Sequence, residues 1–412
     1  MKQLILLLTI SISGTLSAQT GPEVTSWIQN LTGETGYGSI ETNVQQVQYS
    51  AANVYVTCTC IPGYDIGPWN ANPNTPVNQN FCFKITRNPV ENTGTKTATG
   101  LGHIAVWSNG VSAFNAKDAM SYNNQNIWYR NAYYFEGQSF DECLGHPAPN
   151  GEYHHHVNPT CLYDDTDSTQ HSPIIGYAFD GFPIYGAWGF ANANGTGAIH
   201  RMRSSYRNRT ITDRTTLPDG TVLQANQYGP TIAAAPLGAY LEDYEYVQGF
   251  GDLDEHNGRF SVTPDYPNGI YAYFVTLDDA LEPVYPYFIG PTYYGTVQQG
   301  NTGPQSAHNV PSEPVTTYVP DTSGATALAE DISRNMGIGP NPATDYLLVD
   351  FSRTTGKANK IELFSMQGAL LRSIENPSIT ERIPMHSLSY GVYFIRIQTS
   401  TGSVITRKLV KS

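Results

Sequence analysis

Short stretches in which apolar and polar residues alternate recur along most of the chain, and turn-forming residues separate them. Three lie near the N-terminal end: VQQVQYS at 44–50, NVYVTCTCI at 53–61 and FCFKITRNPV at 81–90. Alternation places successive side chains on opposite faces of a strand, and the Gly, Pro and Asn clusters mark turns. The pattern predicts a mainly β protein with a large, loop-heavy first domain. The strongest helical signal is a short one at 115–122.

Residues 331–412 show the same alternation in three longer pieces, GIGPNPATDYLLVDF, KIELFSMQGALLRSI and GVYFIRIQTSTGSVITRKLVKS. Each piece is typical of a strand pair around a turn, so the segment is predicted to fold as a small β-sandwich. Residues 301–330 are polar and rich in Pro, Ser and Thr, which predicts a linker. The first domain is then expected to span residues 19–300.

The N-terminal end has the pattern of a secretory signal peptide over residues 1–18. Lys2 precedes an apolar run from Leu4 to Ile10, and small residues stand at Ser17 and Ala18. The run is much shorter than the ~20 apolar residues that span a bilayer, and no later segment approaches that length. An exported protein without a transmembrane segment is expected.

Charge differs sharply between the two domains. Residues 19–330 hold 11 basic and 29 acidic residues, whereas residues 331–412 hold 10 basic and 6 acidic residues. An acidic first domain argues against nucleic acid as a partner and suits cations or basic ligands. One basic stretch, HRMRSSYRNRTITDR at 200–214, interrupts it, and its arginines are expected to pair with acidic side chains of their own domain.

Candidate chemistry concentrates at 141–186, where five of the ten histidines lie. If Tyr153–His156 is extended, His154 and His156 point to the same side and His155 to the other. Such a pair can hold one metal ion with a third ligand from another loop; His171 is the preferred candidate, with Asp180 as a further ligand and His146 as an alternative. Imidazoles favour Zn or Cu, and a carboxylate would extend the choice to Fe or Mn.

Two further features of the first domain bear on this site. Cys143 and Cys161 bracket the histidines, and in an exported protein they are expected to form a disulfide; one pair among Cys58, Cys60 and Cys82 is a further option. The Asp-rich loops at 163–168 and 251–258 offer oxygen ligands for Ca²⁺.

Catalysis and its absence are both open at this stage. If the metal is catalytic, a metal-bound water assisted by His146 or Tyr185 would carry out hydrolysis or oxidation. The alternative is a surface-displayed binding or structural module for glycan or protein. There the histidines only hydrogen-bond to main-chain oxygens and organise loops.

The first domain resembles the YHYH family of secreted bacterial proteins. The motifs that carry the resemblance are LGHIAVWSNGVSAFNAKDAMSYNN, RNAYYFEGQSFDECLGHPAPNGEYHHH, HSPIIGYAFDGFPIYG, GDLDEHNGRFSVTPDYPNGIYAYFVT and YPYFIGPTYYG, within about residues 50–297. In the tetrapeptide, His155 replaces the family's second Tyr. The polar residues that the motifs bring with them are His103, His146, His154, His156, His171, Asp180, Tyr185 and Arg259. The family name describes a sequence pattern and implies no particular reaction.

The last segment resembles the type A C-terminal sorting domain of the type IX secretion system. PNP at 340–342, LFSMQG at 363–368, LSYGVYFIRI at 388–397 and the basic RKLVK ending carry this resemblance. It implies that the secretion machinery recognises residues 331–412 and that these residues hold no catalytic group. It also implies a secreted or outer-surface location, with the remainder released or attached to surface lipopolysaccharide.

Overall fold

The computed structural model describes residues 20–303, 306–320, 332–333, 336–352, 354, 358–366, 368–399 and 404–412. The predicted signal peptide and residues 321–331 lie outside these ranges. The chain divides into two compact units, with the boundary between Tyr318 and Val319. Both are built mainly from strands, which confirms the predicted β class. None of the helices in the described ranges has the length and apolar character needed to span a bilayer.

The first unit contains eighteen strands among its described residues, most of them short. They are β1 Val44–Tyr49, β2 Asn53–Cys58, β3 Phe81–Thr86, β4 His103–Trp107, β5 Ser112–Phe114, β6 Lys117–Ser121, β7 Tyr129–Asn131, β8 Gly145–Pro147, β9 Tyr153–His155, β10 Ile174–Ala178, β11 Pro183–Tyr185, β12 Trp188–Phe190, β13 Ile199–Arg201, β14 Tyr206–Asn208, β15 Tyr244–Tyr246, β16 Gly258–Ser261, β17 Ile270–Phe274 and β18 Thr316–Tyr318.

Helical segments are short. The α-helices are α1 Pro22–Thr25 and α2 Ala132–Glu136, and the 3₁₀ turns are Tyr37–Ser39, Tyr122–Asn124, Gly137–Ser139, Ala225–Gln227 and Leu241–Asp243. The helix predicted at 115–122 is wrong, because most of that segment forms strand β6, which pairs with β7.

An eight-stranded sheet with the order β16-β17-β11-β10-β4-β5-β9-β8 is the centre of this unit. A four-stranded sheet with the order β18-β1-β2-β3 covers one of its faces. Along β10, Ile175 and Ala178 pack into one core, whereas Ile174 and Tyr177 pack into the other. Burial on both faces explains why β4 and β10 read as continuous apolar runs. At Gly176 a Cβ atom would lie 2.7 Å from the carbonyl oxygen of Val106, so only glycine allows β10 to lie this close to β4.

The second unit is a small β-sandwich, as predicted. Its strands are β19 Gly337–Gly339, β20 Tyr346–Asp350, β21 Ala358–Ser365, β22 Leu370–Glu375, β23 Thr380–Pro384, β24 Gly391–Thr399 and β25 Val404–Lys411. They form one sheet with the order β19-β20-β23 and another with the order β22-β21-β24-β25. Leu347 and Ile383 of the first sheet share a core with Ile361 and Ile395 of the second.

The arginines of the 200–214 stretch interact mainly with acidic side chains of the first unit. The pairs are Arg201–Asp279, Arg203–Asp252, Arg207–Glu245 and Arg214–Asp243, while Arg209 donates to backbone oxygens of Thr216, Leu217 and Glu242. Arg214 and Asp243 are both fully buried and joined by two hydrogen bonds of 2.7 and 2.8 Å. This pair ties the 205–245 region together from inside.

We expect Asp243→Ala to destabilise the first unit by about 3–5 kcal/mol, because it leaves a buried guanidinium without its carboxylate. Equilibrium urea unfolding followed by tryptophan fluorescence measures this, since all five tryptophans lie in the first unit. The matched control is Arg207→Ala, which removes the partly exposed pair with Glu245 and should cost about 1 kcal/mol or less. Equal losses in the two variants would contradict the prediction.

Candidate metal centre

The site is built on the edge hairpin of the eight-stranded sheet. His146 in β8 and His154 in β9 are directly opposite each other in the antiparallel pair. On its other edge β9 runs parallel to β5, with Ser112 facing His154. His156 follows β9 and projects to the same side as His154, the arrangement that alternation along an extended chain produces. His155 points the other way and is fully buried against the ring of Tyr153.

The three imidazoles on that side converge on one point. The Nε2 atom of His154 lies 3.0 Å from Nε2 of His146 and 3.1 Å from Nε2 of His156. Three imidazole nitrogens bound to one Zn²⁺ at about 2.0–2.1 Å in tetrahedral geometry would lie ~3.3 Å apart. The two distances from His154 are close to that value, and the ligand atoms of all three histidines lie within 4.8 Å of one another. Among the described residues, these three are the only group of His, Cys, Asp and Glu side chains with ligand atoms gathered this closely.

The other ring nitrogen of each histidine has an oxygen acceptor. His154 Nδ1–H donates to the backbone oxygen of Glu152 at 3.0 Å, and His156 Nδ1–H donates to that of Asn115 at 2.6 Å. His146 Nδ1 lies 2.7 Å from the hydroxyl oxygen of Ser139. That hydroxyl gives its single hydrogen to the backbone oxygen of Glu136 at 2.8 Å, so it accepts from His146.

These contacts fix the tautomers. With the ring hydrogen on Nδ1 and the rings neutral, the lone pair of His154 Nε2 faces those of His146 and His156 at hydrogen-bond distance, which is repulsive unless a cation lies between them. A proton on one ring would relieve a single contact. A metal ion would relieve all of them at once, and the Nδ1 hydrogen bonds are the outer contacts that metal-binding histidines ordinarily have.

One carboxylate completes the surroundings. Oε2 of Glu136, at the end of α2, lies 3.3 Å from Nε2 of His156 and 3.8 Å from Nε2 of His146. This oxygen is buried and has no well-aligned hydrogen bond within the described residues. Burial acts to raise the pKa of the Glu136 carboxyl, but the neighbouring His156, His146 and Arg130 side chains outweigh burial and leave the pKa lowered. Glu136 can act as a fourth ligand or as a base beside the ion.

The site is buried but reachable. His146 is 6% exposed, and His154 and His156 are each 3% exposed. The three rings nevertheless line a cleft of about 510 Å³ that is open to solvent. Burial, followed by the charge of neighbouring histidines, lowers the pKa of His146 to about 4 and also lowers that of His154. Both shifts favour the neutral imidazole in His146 and His154, and neutral imidazole is the form that binds metal.

Aromatic packing holds the rings in place. Phe114, at the end of β5, stacks on His154 with ring centroids 3.8 Å apart. Phe140 packs edge-on against His146, with ring centroids 4.8 Å apart. Side chains fixed in this way keep the three nitrogens converged without help from a ligand, which lowers the cost of ordering a metal site.

The structure does not bring the other predicted site residues to this cluster. His171 donates from Nδ1 to the backbone oxygen of Ser172 at 2.8 Å and packs against Tyr185. The Tyr185 hydroxyl lies 2.8 Å from Thr263 Oγ1 and donates to Asp265 at 3.1 Å. The third imidazole beside His154 and His156 is therefore that of His146.

Asp180 is also elsewhere. It accepts hydrogen bonds from the Tyr273 hydroxyl at 2.6 Å and the Gly295 amide at 2.8 Å, and burial raises its pKa to about 6. Glu136, Ser139 and Asn115, which do contact the three rings, were not singled out from the sequence. Their one common signal was that they lie within the motif segments of the family resemblance.

The Asp-rich loops are arranged as local turns. Asp164 accepts from the backbone and hydroxyl of Thr166, and Asp167 does the same for Thr169. In the second loop, Asp254 accepts from the Tyr271 hydroxyl at 2.9 and 3.1 Å. These carboxylates stabilise the loops themselves, and the Ca²⁺ expectation gains no support from this geometry.

The cysteines behave as predicted in one respect. Cys143 and Cys161 form a disulfide whose two halves flank the histidine hairpin. Cys58, Cys60 and Cys82 are free thiols, so the further pair considered among them is not formed. Cys60 donates to the backbone oxygen of Tyr153 at 3.1 Å and so contacts β9 directly.

Comparisons with known protein families agree with this architecture. Residues 82–285, which include all three histidines and Glu136, match the family model described as YHYH protein. Residues 338–412 match the model described as secretion system C-terminal sorting domain. The second match implies recognition by the type IX secretion machinery and a secreted or cell-surface location. The chain has no match among curated proteins.

Proposed function

We propose that this chain, which belongs to the YHYH family and ends in a secretion sorting domain, binds one transition metal ion through His146, His154 and His156 after export. The observation that carries the proposal is the convergence of three Nε2 lone pairs, each set by a hydrogen bond at Nδ1. The Nε2 atoms of His146 and His156 lie 3.0 and 3.1 Å from that of His154, and one metal ion would relieve the repulsion at both contacts.

Zn²⁺ or Cu²⁺ suits this donor set best. Three neutral imidazoles are borderline ligands that both ions favour, and the Irving–Williams order gives them the tightest binding among common divalent ions. Participation of Glu136 would make the site more accommodating to Fe²⁺. Three protein nitrogens leave at least one coordination position, and the 510 Å³ cleft gives a small molecule access to it. A water bound there, with Glu136 as its base, is the arrangement that metal-assisted hydrolysis uses.

A glycan-binding function is the second candidate, and a different cleft supports it. This cleft, of about 500 Å³, is lined by Tyr206, Tyr244, Tyr246 and Tyr285, with Glu242 and Glu245 beside them. Aromatic faces with neighbouring carboxylates are suited to sugar rings and their hydroxyls. The cleft contains none of the three histidines, so metal and glycan binding are separable properties.

We expect untagged full-length protein to bind one equivalent of Zn²⁺ or Cu²⁺ and to melt at a higher temperature with either ion, because a ligand of the folded state stabilises it. Inductively coupled plasma mass spectrometry and differential scanning calorimetry measure the two effects. A variant with both His154→Ala and His156→Ala should lose both. Metal-free protein whose melting temperature does not change with either ion would refute the proposal.

Matched controls come from other histidines. A variant with both His200→Ala and His308→Ala removes two more exposed imidazoles and should keep the metal. His171→Ala distinguishes the ligand set seen in the structure from the ligand set predicted from the sequence, because His171 lies outside the cluster. This variant should also keep the metal. Loss of the ion in His171→Ala alone would contradict the geometry described above.

Ser139→Ala is expected to weaken metal binding about 10- to 100-fold without abolishing it, because it removes the acceptor that sets the His146 tautomer. Isothermal titration with Zn²⁺ measures the change in Kd. Gln138→Ala is the control, since Gln138 lines the same cleft. An unchanged Kd in Ser139→Ala would mean that His146 does not need this hydrogen bond to present Nε2.

Deletion of residues 331–412 should retain the protein inside the cell envelope, because the sorting domain is the export address. Fractionation of the native host into periplasm, outer surface and medium measures this. Fusion of the same residues to a signal-peptide-bearing reporter should export the reporter. Exported protein found in the medium is released, whereas exported protein found in the outer-surface fraction is attached, as it would be to surface lipopolysaccharide. Normal surface display after the deletion would refute the assignment.

A further inference from the structure

A third cleft, of about 490 Å³, adjoins the cleft that the three histidines line. Leu101 and Gly102 line both clefts. Its polar side chains include His103 at the start of β4, Glu152 just before β9, and Ser306. None of these three belongs to the metal cluster.

The three side chains form a continuous chain of contacts. The Ser306 hydroxyl oxygen lies 3.1 Å from Nε2 of His103, and Nδ1 of His103 lies 2.8 Å from Oε1 of Glu152. A hydroxyl within hydrogen-bond reach of an imidazole, with a carboxylate on the opposite ring nitrogen, is the geometry that activates a serine nucleophile. The residue order in the sequence has no bearing on this role.

The histidine and the glutamate are buried and the serine is accessible from the cleft, as nucleophilic catalysis requires. His103 is 8% exposed and Glu152 is 5% exposed, while Ser306 is half-buried at the cleft. The rings of Phe81, Phe83 and Phe179 surround the imidazole edge-on at 5.4–5.8 Å. This packing allows the ring little freedom to turn away from either partner.

The Ser306 hydroxyl has a resting partner as well. Its oxygen lies 2.7 Å from the backbone oxygen of Gly303 and 3.1 Å from that of Asn301. The single hydroxyl hydrogen goes to one acceptor at a time. When His103 holds a proton on Nε2 the ring donates to the hydroxyl, and when Nε2 is free it accepts the hydroxyl hydrogen.

We propose that Ser306, His103 and Glu152 form a second active site that hydrolyses carboxylic esters. Phe81 and Leu101 offer apolar contact, and Gln79, Asn150 and His308 offer polar contact to an ester that fits the cleft. The site needs no metal, so it is independent of the proposal for the histidine cluster.

The reaction balances with water as the co-reactant. Ser306 Oγ bonds to the ester carbonyl carbon while its proton passes to Nε2 of His103. The bond to the alcohol oxygen then breaks, and His103 returns the proton to the departing alkoxide. Water adds to the acyl-serine in the same way, which releases the carboxylic acid and restores the hydroxyl. Glu152 acts as a positioning residue, because its side chain accepts the hydrogen on Nδ1 of His103 at 2.8 Å.

A fluorophosphonate probe tests the nucleophile, since an activated serine displaces fluoride and forms a stable bond to phosphorus. We expect full-length protein to gain one adduct, mapped by peptide mass spectrometry to Ser306, at the same rate before and after EDTA treatment. Ser306→Ala should gain none. His103→Gln should react ~100-fold more slowly or worse, the usual contribution of a general base. Ser312→Ala, at an exposed serine, is the matched control.

Hydrolysis of p-nitrophenyl acetate tests the positioning role. Glu152→Gln should lower kcat at least tenfold and leave KM within twofold, and Glu152→Asp should restore part of kcat, results that loss of packing alone would not give. Unchanged melting temperature of Ser306→Ala shows that its inactivity is chemical. The proposal fails if Ser306 stays unmodified under conditions that fully label a serine esterase, or if His103→Gln reacts at the parental rate. His103–Glu152 would then be a structural ion pair.

Discussion

The register of one strand determines the candidate chemistry of the first unit. β9 is held between β8 and β5, and this pairing places His154 opposite His146 on one side and opposite Ser112 on the other. A slip of one residue would turn His154 and His156 to the opposite face and put His155 in their place. The register is well specified, because the face that carries Tyr153 and His155 is fully buried.

The sequence predicted those parts of the site that depend on local geometry. Alternation along an extended segment was enough to pair His154 with His156 and to set His155 apart, and flanking cysteines were enough to suggest the disulfide. The third imidazole depended on which strand pairs with β9, and that is information about contacts between strands. His171 and His146 were equivalent by composition, and only the hairpin between 145 and 155 distinguishes them.

Glu136 shows a different limit. It reaches the histidines because α2 ends beside them, although the strongest helical signal lay at 115–122, in what is strand β6. Tertiary packing overrides weak local propensity in short elements. The β class and the C-terminal sandwich were easier to predict from the sequence. Their long strands alternate clearly between apolar and polar residues, because the two sheets of the sandwich bury a single apolar core.

Glu152 connects the cleft of the three histidines with the cleft that contains His103 and Ser306. Its backbone oxygen accepts from His154, and its side chain lies against His103, so one residue positions an imidazole in each. Phe114 adds a second link, since it stacks on His154 and lies 6.3 Å from the His103 ring. Loss of the Phe114 ring would therefore affect both imidazoles, whereas loss of the Glu152 carboxylate would affect His103 and leave the main-chain contact to His154 in place.

The bond between Cys143 and Cys161 closes a covalent ring that contains His146, His154 and His156. Cross-linking a loop of this length removes unfolded-state freedom equivalent to about 3 kcal/mol in the chain-entropy description. Thiols remain reduced in the cytoplasm and are oxidised beyond it. In an exported chain this ring is therefore closed only after the chain leaves the cytoplasm, so the hairpin that carries the three histidines gains its covalent constraint in the outer compartment.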